Sequence, residues 1–314
     1  MKRLQYDLSP NHPFSRASGA IDVEYVLRAL IVSADDFGLS LDVNEAIERG
    51  NRDGILAAAS LMMAADATDD AIARAKALPS LRVGLHVVLV NGRPVLPPER
   101  VPDLVDSNGA FLSDLRRAGV RFFFRPGIRR QLTDEIRAQF EAFRATGLPL
   151  DHVNAQNHMH VHPTVFGILL KVGSEYGMRA VRIPREPFGP SWRAERTKFT
   201  ARFANEVLLL PWLSLMKARL RRAGLTSNDY VYGMIDTGHV TRDIVLRFLP
   251  HVPNGITELY FHPAMRTWPN VPYGMDNYDF AGEYRALVDG DVKRELAASD
   301  IARTTYSALS AHAP

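Results

Sequence analysis

Two kinds of segment follow each other repeatedly along the chain: short apolar runs, and longer segments in which apolar residues recur at helical spacing. Each short run is bounded by turn residues, which is typical of a buried strand, and the segment after it carries apolar residues three and four apart. Strand and helix alternating in this way indicate parallel βαβ units. We therefore predict an α/β fold, a TIM-like (β/α) barrel of about seven parallel strands. The predicted strands are about 29–35, 55–63, 81–90, 150–155, 180–183, 230–235 and 256–261.

The predicted helices fill most of the chain between these strands. Residues 91–130 are rich in Pro and Gly breakers, so we interpret them as an active-site loop with a short helical excursion. The clearest helical spacings are Leu41–Arg52, Ala64–Leu78, Gln131–Thr146, a helix that starts at Pro163, Thr241–Leu249 and a terminal region after Tyr278.

The domain prediction is an N-terminal extension, residues 1–27, followed by one barrel domain over 28–314. Residues 192–224 interrupt the pattern with many Arg and Lys around an apolar middle. Two interpretations stay open: a long helix packed on the barrel, or a basic amphipathic segment at a membrane surface or over a lipid-like substrate. A second basic and aromatic patch, residues 116–125, could serve the same surface.

Composition narrows the class of protein. A chain of 314 residues with 46% hydrophobic and 23% charged residues is typical of a soluble globular protein. Without cysteine it has no thiolate zinc site, so any metal must bind to His, carboxylate, amide or water. A net charge of +3 gives no indication of nucleic-acid binding. We find no signal peptide or membrane-spanning run, and we expect a cytoplasmic protein with peripheral contact to the inner membrane face through 192–224.

Candidate chemistry collects at predicted strand ends. Asp35 and Asp36 follow the first strand, His86 ends the third, a His-rich segment (152–162) follows the fourth, and His262 follows the last. An acid after a strand can simply cap a helix. Adjacent carboxylates, however, raise each other's pKa unless a cation or proton is shared. A cation held by one carboxylate and two imidazoles keeps positions open for water and substrate, which is typical of a catalytic site.

These residues lie in motifs that resemble a known family. Ser33-Ala-Asp-Asp-Phe-Gly-Leu39, Gly84-Leu-His86, the 152–163 segment and Phe261-His-Pro263 are similar to the signatures of the YdjC-like carbohydrate deacetylases, over about residues 29 to 300. Residues 84–97 and 151–154 most resemble the hopanoid biosynthesis-associated branch. The resemblance implies a distorted α/β barrel and metal-dependent removal of an N-acetyl group. In that branch the substrate would be an acetylglucosamine-bearing hopanoid glycolipid.

The resemblance also implies residue roles. Asp35 would be the general base, Asp36 and His86 metal ligands, and His262 the general acid or oxyanion partner. Gln156 stands where the family has its third ligand, a His. Either Gln156 binds the metal with reduced affinity, or His158 or His160 substitutes, and His158 would lie on the same face if 154–160 continue as a strand. The metal would be zinc, with magnesium, cobalt or nickel as alternatives. Residues expected to contact substrate are Asn154, His160, Arg182 and Arg185.

The leading functional hypothesis is a metal-dependent N-deacetylase of an amino-sugar glycolipid. Two alternatives stay open. One is a deacetylase of soluble N-acetylated oligosaccharides. The other is a non-catalytic lipid-sugar binding protein in which Gln156 marks a lost metal ligand.

Overall fold

A curled parallel sheet forms the centre of the molecule. In the computed structural model, which describes residues 28–268 and 271–310, the strand order is β4-β3-β2-β1-β6-β5, with β7 beside the start of β1. Every pairing between these strands is parallel. The predicted extension 1–27 lies outside the described residues. The strands are β1 (Arg28–Phe37), β2 (Ala58–Leu61), β3 (Arg82–Val87), β4 (Val153–Ala155), β5 (Tyr230–Tyr232), β6 (Gly255–Phe261) and β7 (Ala302–Arg303).

Helices follow most strands and cover the outside of the sheet, as the alternating pattern predicts. Short 3-10 turns occur at Pro98–Arg100, Gln156–Val161 and Leu249–His251. The helices are α1 (Leu41–Arg52), α2 (Thr68–Ala77), α3 (Leu115–Phe124), α4 (Pro126–Ala145), α5 (Pro163–Glu175), α6 (Phe188–Ala194), α7 (Phe199–Arg222), α8 (Arg242–Phe248), α9 (Phe280–Val288), α10 (Gly290–Ala298) and α11 (Tyr306–Ser310).

The strand predicted at 180–183 is not a regular strand. This segment lies between β4 and β5 but joins them only through isolated bridges, Val153 with Val181 and Ala180 with Thr226. Pro184 has no N–H to donate, and the Asn228 side chain takes the backbone N–H of Ile183 at 2.7 Å. The sheet is therefore a half-barrel that regular strands do not fully close.

Two long segments agree with the prediction in part: 91–130 contains the expected helical excursion, and 192–224 contains the long helix that was one of its two interpretations. Residues 91–130 contain α3 and the start of α4, which begins at 126 rather than 131. The 192–224 segment contains the end of α6 and the whole of α7, and its Arg202 is fully buried. Within residues 28–268 and 271–310, no helix has the length and apolar character needed to cross a bilayer.

Alternation along the strands decides which side chains enter the half-barrel. Ile31, Ser33 and Asp35 share one face of β1, because successive strand residues point to opposite faces. Near the strand starts this interior is apolar, and Ile31 packs with Tyr306 of α11. Towards the carboxyl ends the interior becomes polar, and the candidate site lies there.

Candidate active site

An irregularity at the end of β1 places two carboxylates beside each other. The pairing of β1 with β2 shifts register between Ala34 and Phe37, and Asp36 has a φ of 63°. Aspartate tolerates this left-handed conformation better than most residues. A bulge also disturbs the strict alternation of side chains. Both Asp35 and Asp36 are consequently buried at this strand end.

Asp35 is held in place by a dense set of donors. Arg182 donates to both of its oxygens, at 2.5 Å to Oδ2 and 2.9 Å to Oδ1. Ser60 Oγ and Asn154 Nδ2 donate to Oδ1 at 2.9 and 3.0 Å. Burial raises the pKa of Asp35, but the charges of Arg182, His86 and His262 and the Arg182 hydrogen bonds together hold the pKa well below its usual range. Asp35 is therefore an ionised and precisely oriented carboxylate.

Arg182 connects Asp35 to a second buried acid, Glu258 of β6. Its Nε donates to Glu258 Oε2 and its Nη2 to Oε1, both at 2.7 Å. The guanidinium also lies over the ring of Tyr260, 4.8 Å from the centroid. The expectation that Arg182 contacts substrate differs from this arrangement, because the side chain is completely buried and its donors serve the two acids.

Asn154 orients the imidazole of His86 through a hydrogen bond at Nδ1. These residues are direct partners in the β3–β4 pairing. The Asn154 amide donates to Asp35 and Ser60, so its Oδ1 faces His86 Nδ1 at 2.7 Å as an acceptor. The hydrogen of His86 is thereby assigned to Nδ1, which leaves Nε2 free. Asn154, expected to contact substrate, is instead fully buried and acts as an orienting residue.

His86 Nε2 faces Asp36, 3.3 Å from its Oδ1. Both Asp36 oxygens are buried and have no hydrogen-bond partner among the residues that the structure describes. Burial lowers the pKa of His86, whereas Asp35 and Asp36 raise it, and the net shift is upward. The space between Asp36 and His86 thus favours positive charge.

The segment that follows β4 differs from the strand predicted there. Regular pairing ends at Ala155, and the chain enters the turn Gln156–Val161, with Asn157 and His158 at φ of 50° and 53°. Gln156 and His158 therefore do not share one strand face, as the predicted strand would have required. Gln156 Oε1 and His158 Nδ1 are both buried without a partner in the described part of the chain.

A row of rings borders this turn. His158 Nε2 lies 3.3 Å from the hydroxyl of Tyr260, and burial beside Arg182 lowers the pKa of His158 to about 3. Tyr260 in turn lies edge-on to His262, with ring centroids 5.5 Å apart. The Nδ1 atom of His262 is buried and unpaired within residues 28–268 and 271–310. Neutral His158 and the free nitrogen of His262 are thus available for ligand or proton contacts.

Two other predicted substrate residues have protein partners. His160 is fully buried, and its Nε2 lies 3.0 Å from the carbonyl of Arg182. Burial lowers the pKa of His160 well below its usual range, so it is neutral. Arg185 pairs with Glu206 of α7 at 3.2 Å and stacks over Tyr230. Arg185 thereby connects this part of the chain to α7 and β5.

The sequence-based prediction missed Ser60, Glu258 and Tyr306, and it gave no separate role to His152, the first residue of the His-rich segment. His152 lies between Asp151 Oδ2, 2.9 Å from Nδ1, and Ser60 Oγ, 3.0 Å from Nε2. Tyr306 donates to Glu258 at 2.7 Å. A signal existed for Glu258 alone, because a single acid in the apolar run 256–261 predicts a buried charge that needs a partner.

No three His, Asp or Glu side chains in the described ranges are already arranged as a metal site. Asp36 and His86 are two facing side chains, one fewer than such a set needs. Their geometry fits a cation, because a free imidazole nitrogen and an unpaired carboxylate face each other while Asn154 fixes the imidazole.

Comparisons with known proteins find relatives in sequence and in fold. A carbohydrate deacetylase of Thermoanaerobacter pseudethanolicus is 26% identical over 90% of this chain and 100% of its own length. A carbohydrate deacetylase of Brevibacillus brevis is 39% identical over 155 residues, 49% of this chain and 59% of that protein.

A crystal structure from Enterococcus faecalis V583, described as a candidate cellobiose-phosphate cleavage protein, superposes with a TM-score of 0.67. The match covers 90% of this chain and 99% of that one at 21% identity, which shows a common fold. The family described as YdjC-like protein matches residues 29–298. Because that match covers most of the chain, this protein belongs to the YdjC-like family.

Proposed function

We propose that this protein is a hydrolase that removes the N-acetyl group from an amino sugar. The observation that carries the proposal is the strand-end arrangement of Asp35, Asp36 and His86, in which one carboxylate is fixed as an anion and its neighbour is left unpaired. Relatives that bear the name carbohydrate deacetylase support the reaction class, one of them over its whole length. Two neighbouring acids in different environments are typical of acid–base chemistry.

Asp36 and His86 would hold a divalent cation. Zinc suits a carboxylate and imidazole set best, with magnesium, cobalt or nickel as alternatives. When bound, the cation would supply polarisation of water and of the acetyl carbonyl. Gln156 and His158 are the candidates for a third ligand, since Gln156 Oε1 and His158 Nδ1 are buried and have no hydrogen-bond partner within residues 28–268 and 271–310.

The proton transfers are assigned to Asp35 and His262. Water attacks the acetyl carbonyl carbon, the C–N bond breaks, and acetate and a free amine result. Asp35 would accept the proton of the attacking water, with Arg182 and Asn154 fixing its orientation. His262 would give a proton to the departing amine nitrogen.

We extend the proposal to an acetylglucosamine-bearing hopanoid glycolipid as substrate, which would place the protein in hopanoid biosynthesis. Residues 84–97 and 151–154 support this through their resemblance to that branch. Exposed apolar side chains on α7 also support it, because they offer a surface for a lipid. Soluble N-acetylated oligosaccharides are the alternative substrate class.

The test measures acetate release and metal content together, on the wild type and on Gln156→His. Each protein is offered the acetylglucosamine-hopanoid and N-acetylchitobiose. Turnover of the lipid alone supports the glycolipid proposal, and turnover of the sugar alone replaces it with the soluble class.

The variant assigns the third ligand. Equal metal content and activity in both proteins would indicate His158, whereas metal and turnover in Gln156→His alone would indicate position 156. Substrate binding without acetate release by either protein, in the presence of each metal, would favour the non-catalytic binder and overturn the proposal.

A further inference from the structure

Helix α7 has apolar residues on two sides. Its inward side buries Leu213, Met216 and Leu220. The opposite side carries five apolar residues spaced four apart, which lie along one ridge of a helix. These ridge residues, all exposed, are Phe199, Phe203, Val207, Pro211 and Leu215.

Leu208 lies beside this ridge and is 75% exposed. A surface helix usually turns a charged face outward. Among residues 28–268 and 271–310, α6 packs against the first part of the α7 ridge, where Phe188 lies edge-on to Phe199 and Phe203. The rest of the ridge, Val207, Pro211 and Leu215, is exposed. Contiguous exposed apolar surface of this kind marks an interaction site.

Helix α3 presents a second exposed surface, and this one is also basic. Val120, Phe123 and Phe124 are exposed, Phe124 to 72%. Beside them is an open cavity of about 630 Å³ with four guanidinium groups on its walls. Its lining residues are Asp114, Arg116, Arg117, Val120, Arg121 and Arg125.

The two helices are connected to neighbouring residues of one turn. On α7, Trp212 Nε1 donates to the carbonyl of Val161 at 2.7 Å. On α3, the carbonyl of Gly119 lies 3.1 Å from His162 Nε2, and Phe122 packs edge-on against the same imidazole. Val161 and His162 end the turn that starts at Gln156, so both helices flank the strand-end side of the molecule.

We propose that the α7 ridge and the α3 face together form a docking surface for an anionic lipid bilayer. Guanidinium groups bind phosphate through paired hydrogen bonds, and phenyl rings suit the boundary between headgroups and acyl chains. The positive charge comes from α3 and from the last turn of α7, where Arg221 and Arg222 are exposed. Two other basic residues of α7 are neutralised, because Arg202 is buried in ion pairs and Lys217 pairs with Asp229.

A second copy of the chain fits this surface less well than a bilayer. In a symmetric dimer the same patch of both copies forms the interface, so the four α3 arginines would be buried against a patch that carries the same positive charge. The bilayer proposal concerns where the protein is positioned, and it stands independently of the deacetylase proposal.

The experiment is vesicle flotation of the full chain, which needs no activity. Vesicles of phosphatidylcholine alone are compared with vesicles that also contain phosphatidylglycerol. We expect the protein to float with the anionic vesicles only, and added salt to weaken the binding. One variant, Phe124→Ser with Leu208→Ser, removes the most exposed apolar side chain of each helix. The other, Arg116→Glu with Arg117→Glu, reverses charge on α3.

Each double variant should reduce vesicle binding on the order of tenfold. The matched control is Arg82→Glu with Arg303→Glu, which makes the same charge change near the strand starts, and it should bind as the wild type does. Thermal unfolding checks that all variants fold, since the altered side chains are exposed.

Three results would overturn the proposal. They are failure of the wild type to float, equal flotation with both vesicle types, and a wild-type dimer in solution that Leu208→Ser converts to a monomer. The last result would assign the ridge to a second copy.

Discussion

Arg182 and Arg202 occupy similar environments in two different parts of the molecule. Each guanidinium is buried and contacts two carboxylates, Asp35 and Glu258 for the first, Glu186 and Asp236 for the second. Arg182 lies inside the half-barrel beneath the candidate site. Arg202 belongs to α7 and connects that helix to the loop after β5.

The two clusters differ in what surrounds them. Glu186 Oε2 accepts the backbone N–H groups of Met234 and Ile235, at 2.8 and 3.1 Å. Beside Arg182, in contrast, the described neighbours Asp36, His158 and His262 keep buried polar atoms without partners. Since buried polar groups are normally paired, unpaired atoms beside the ion pair, rather than the ion pair itself, distinguish a candidate site from a structural cluster.

The largest difference between the two clusters is expected when one aspartate beside each arginine is replaced by asparagine. Asp36→Asn should lower acetate release by at least about 10²-fold, because it removes a carboxylate proposed to hold the cation, and even partners of metal ligands are worth about 10–100-fold. The free energy of unfolding should change by less than about 1 kcal/mol. Asp236→Asn should destabilise the protein and leave activity per folded molecule unchanged. Acetate assays and urea unfolding of both variants test this. Retained activity in Asp36→Asn would remove Asp36 from the chemistry.

Replacing each arginine by methionine tests the ion pairs directly. Arg182→Met and Arg202→Met should each cost about 3–5 kcal/mol of folding free energy, because both leave buried carboxylates uncompensated. Only Arg182→Met should also lower kcat, since Asp35 then loses its orientation. Urea unfolding and kcat of the folded fraction are the measurements. A similar kcat in both variants would contradict the difference between the clusters.

Gly84 tests how tightly the network beneath the site is packed. A Cβ at Gly84 would lie 2.5 Å from the His152 imidazole, so Gly84→Ala should cost about 1–3 kcal/mol and displace His152 from Ser60. The control is Gly167→Ala in α5, where a Cβ meets nothing within 4 Å and should stabilise the helix by about 0.5–1 kcal/mol. Thermal unfolding compares the two, and equal stability would show a looser network.

The smallest effect is a pH dependence of opposite sign in the two clusters. Burial raises the pKa of Glu258, but Arg182 outweighs it and the net pKa is lowered. Its stabilisation is present above the ordinary pKa and is lost as pH falls through the lowered value. Burial raises the pKa of Glu186, and its charged form therefore destabilises the fold at neutral pH. This destabilisation disappears as pH falls from the raised pKa to the ordinary pKa of glutamate.

The variants Glu258→Gln and Glu186→Gln separate these contributions. Between pH 7 and pH 3, the free energy of unfolding should fall less in Glu258→Gln than in the wild type. It should fall more in Glu186→Gln, because this variant lacks the stabilisation that protonation of Glu186 gives the wild type. Differences of about 1 kcal/mol are measurable by urea unfolding. If the free energy of unfolding changed with pH in the same way in all three proteins, the pKa shifts of both Glu258 and Glu186 would be contradicted.

The sequence by itself determined most of the order of strands and helices, but not the irregular segment 180–183 or strand β7, and it placed the reactive side chains at strand ends. Apolar periodicity and turn residues are local signals, and they were sufficient to locate Asp35, Asp36, His86 and His262. The same local signals failed after Ala155, where alternation predicted a strand and the backbone turned through Asn157 and His158. The predicted metal and its third ligand stay predictions.

Tertiary structure alone decided the partners of these side chains. Arg182 meets Asp35 across 147 residues of sequence, and Asn154 meets Asp35 across 119. No periodicity encodes such pairs, because burial and donor geometry select them only when the sheet curls. For α7, likewise, the sequence shows apolar residues on two sides, but only the packed structure shows which side the protein covers and which it leaves exposed.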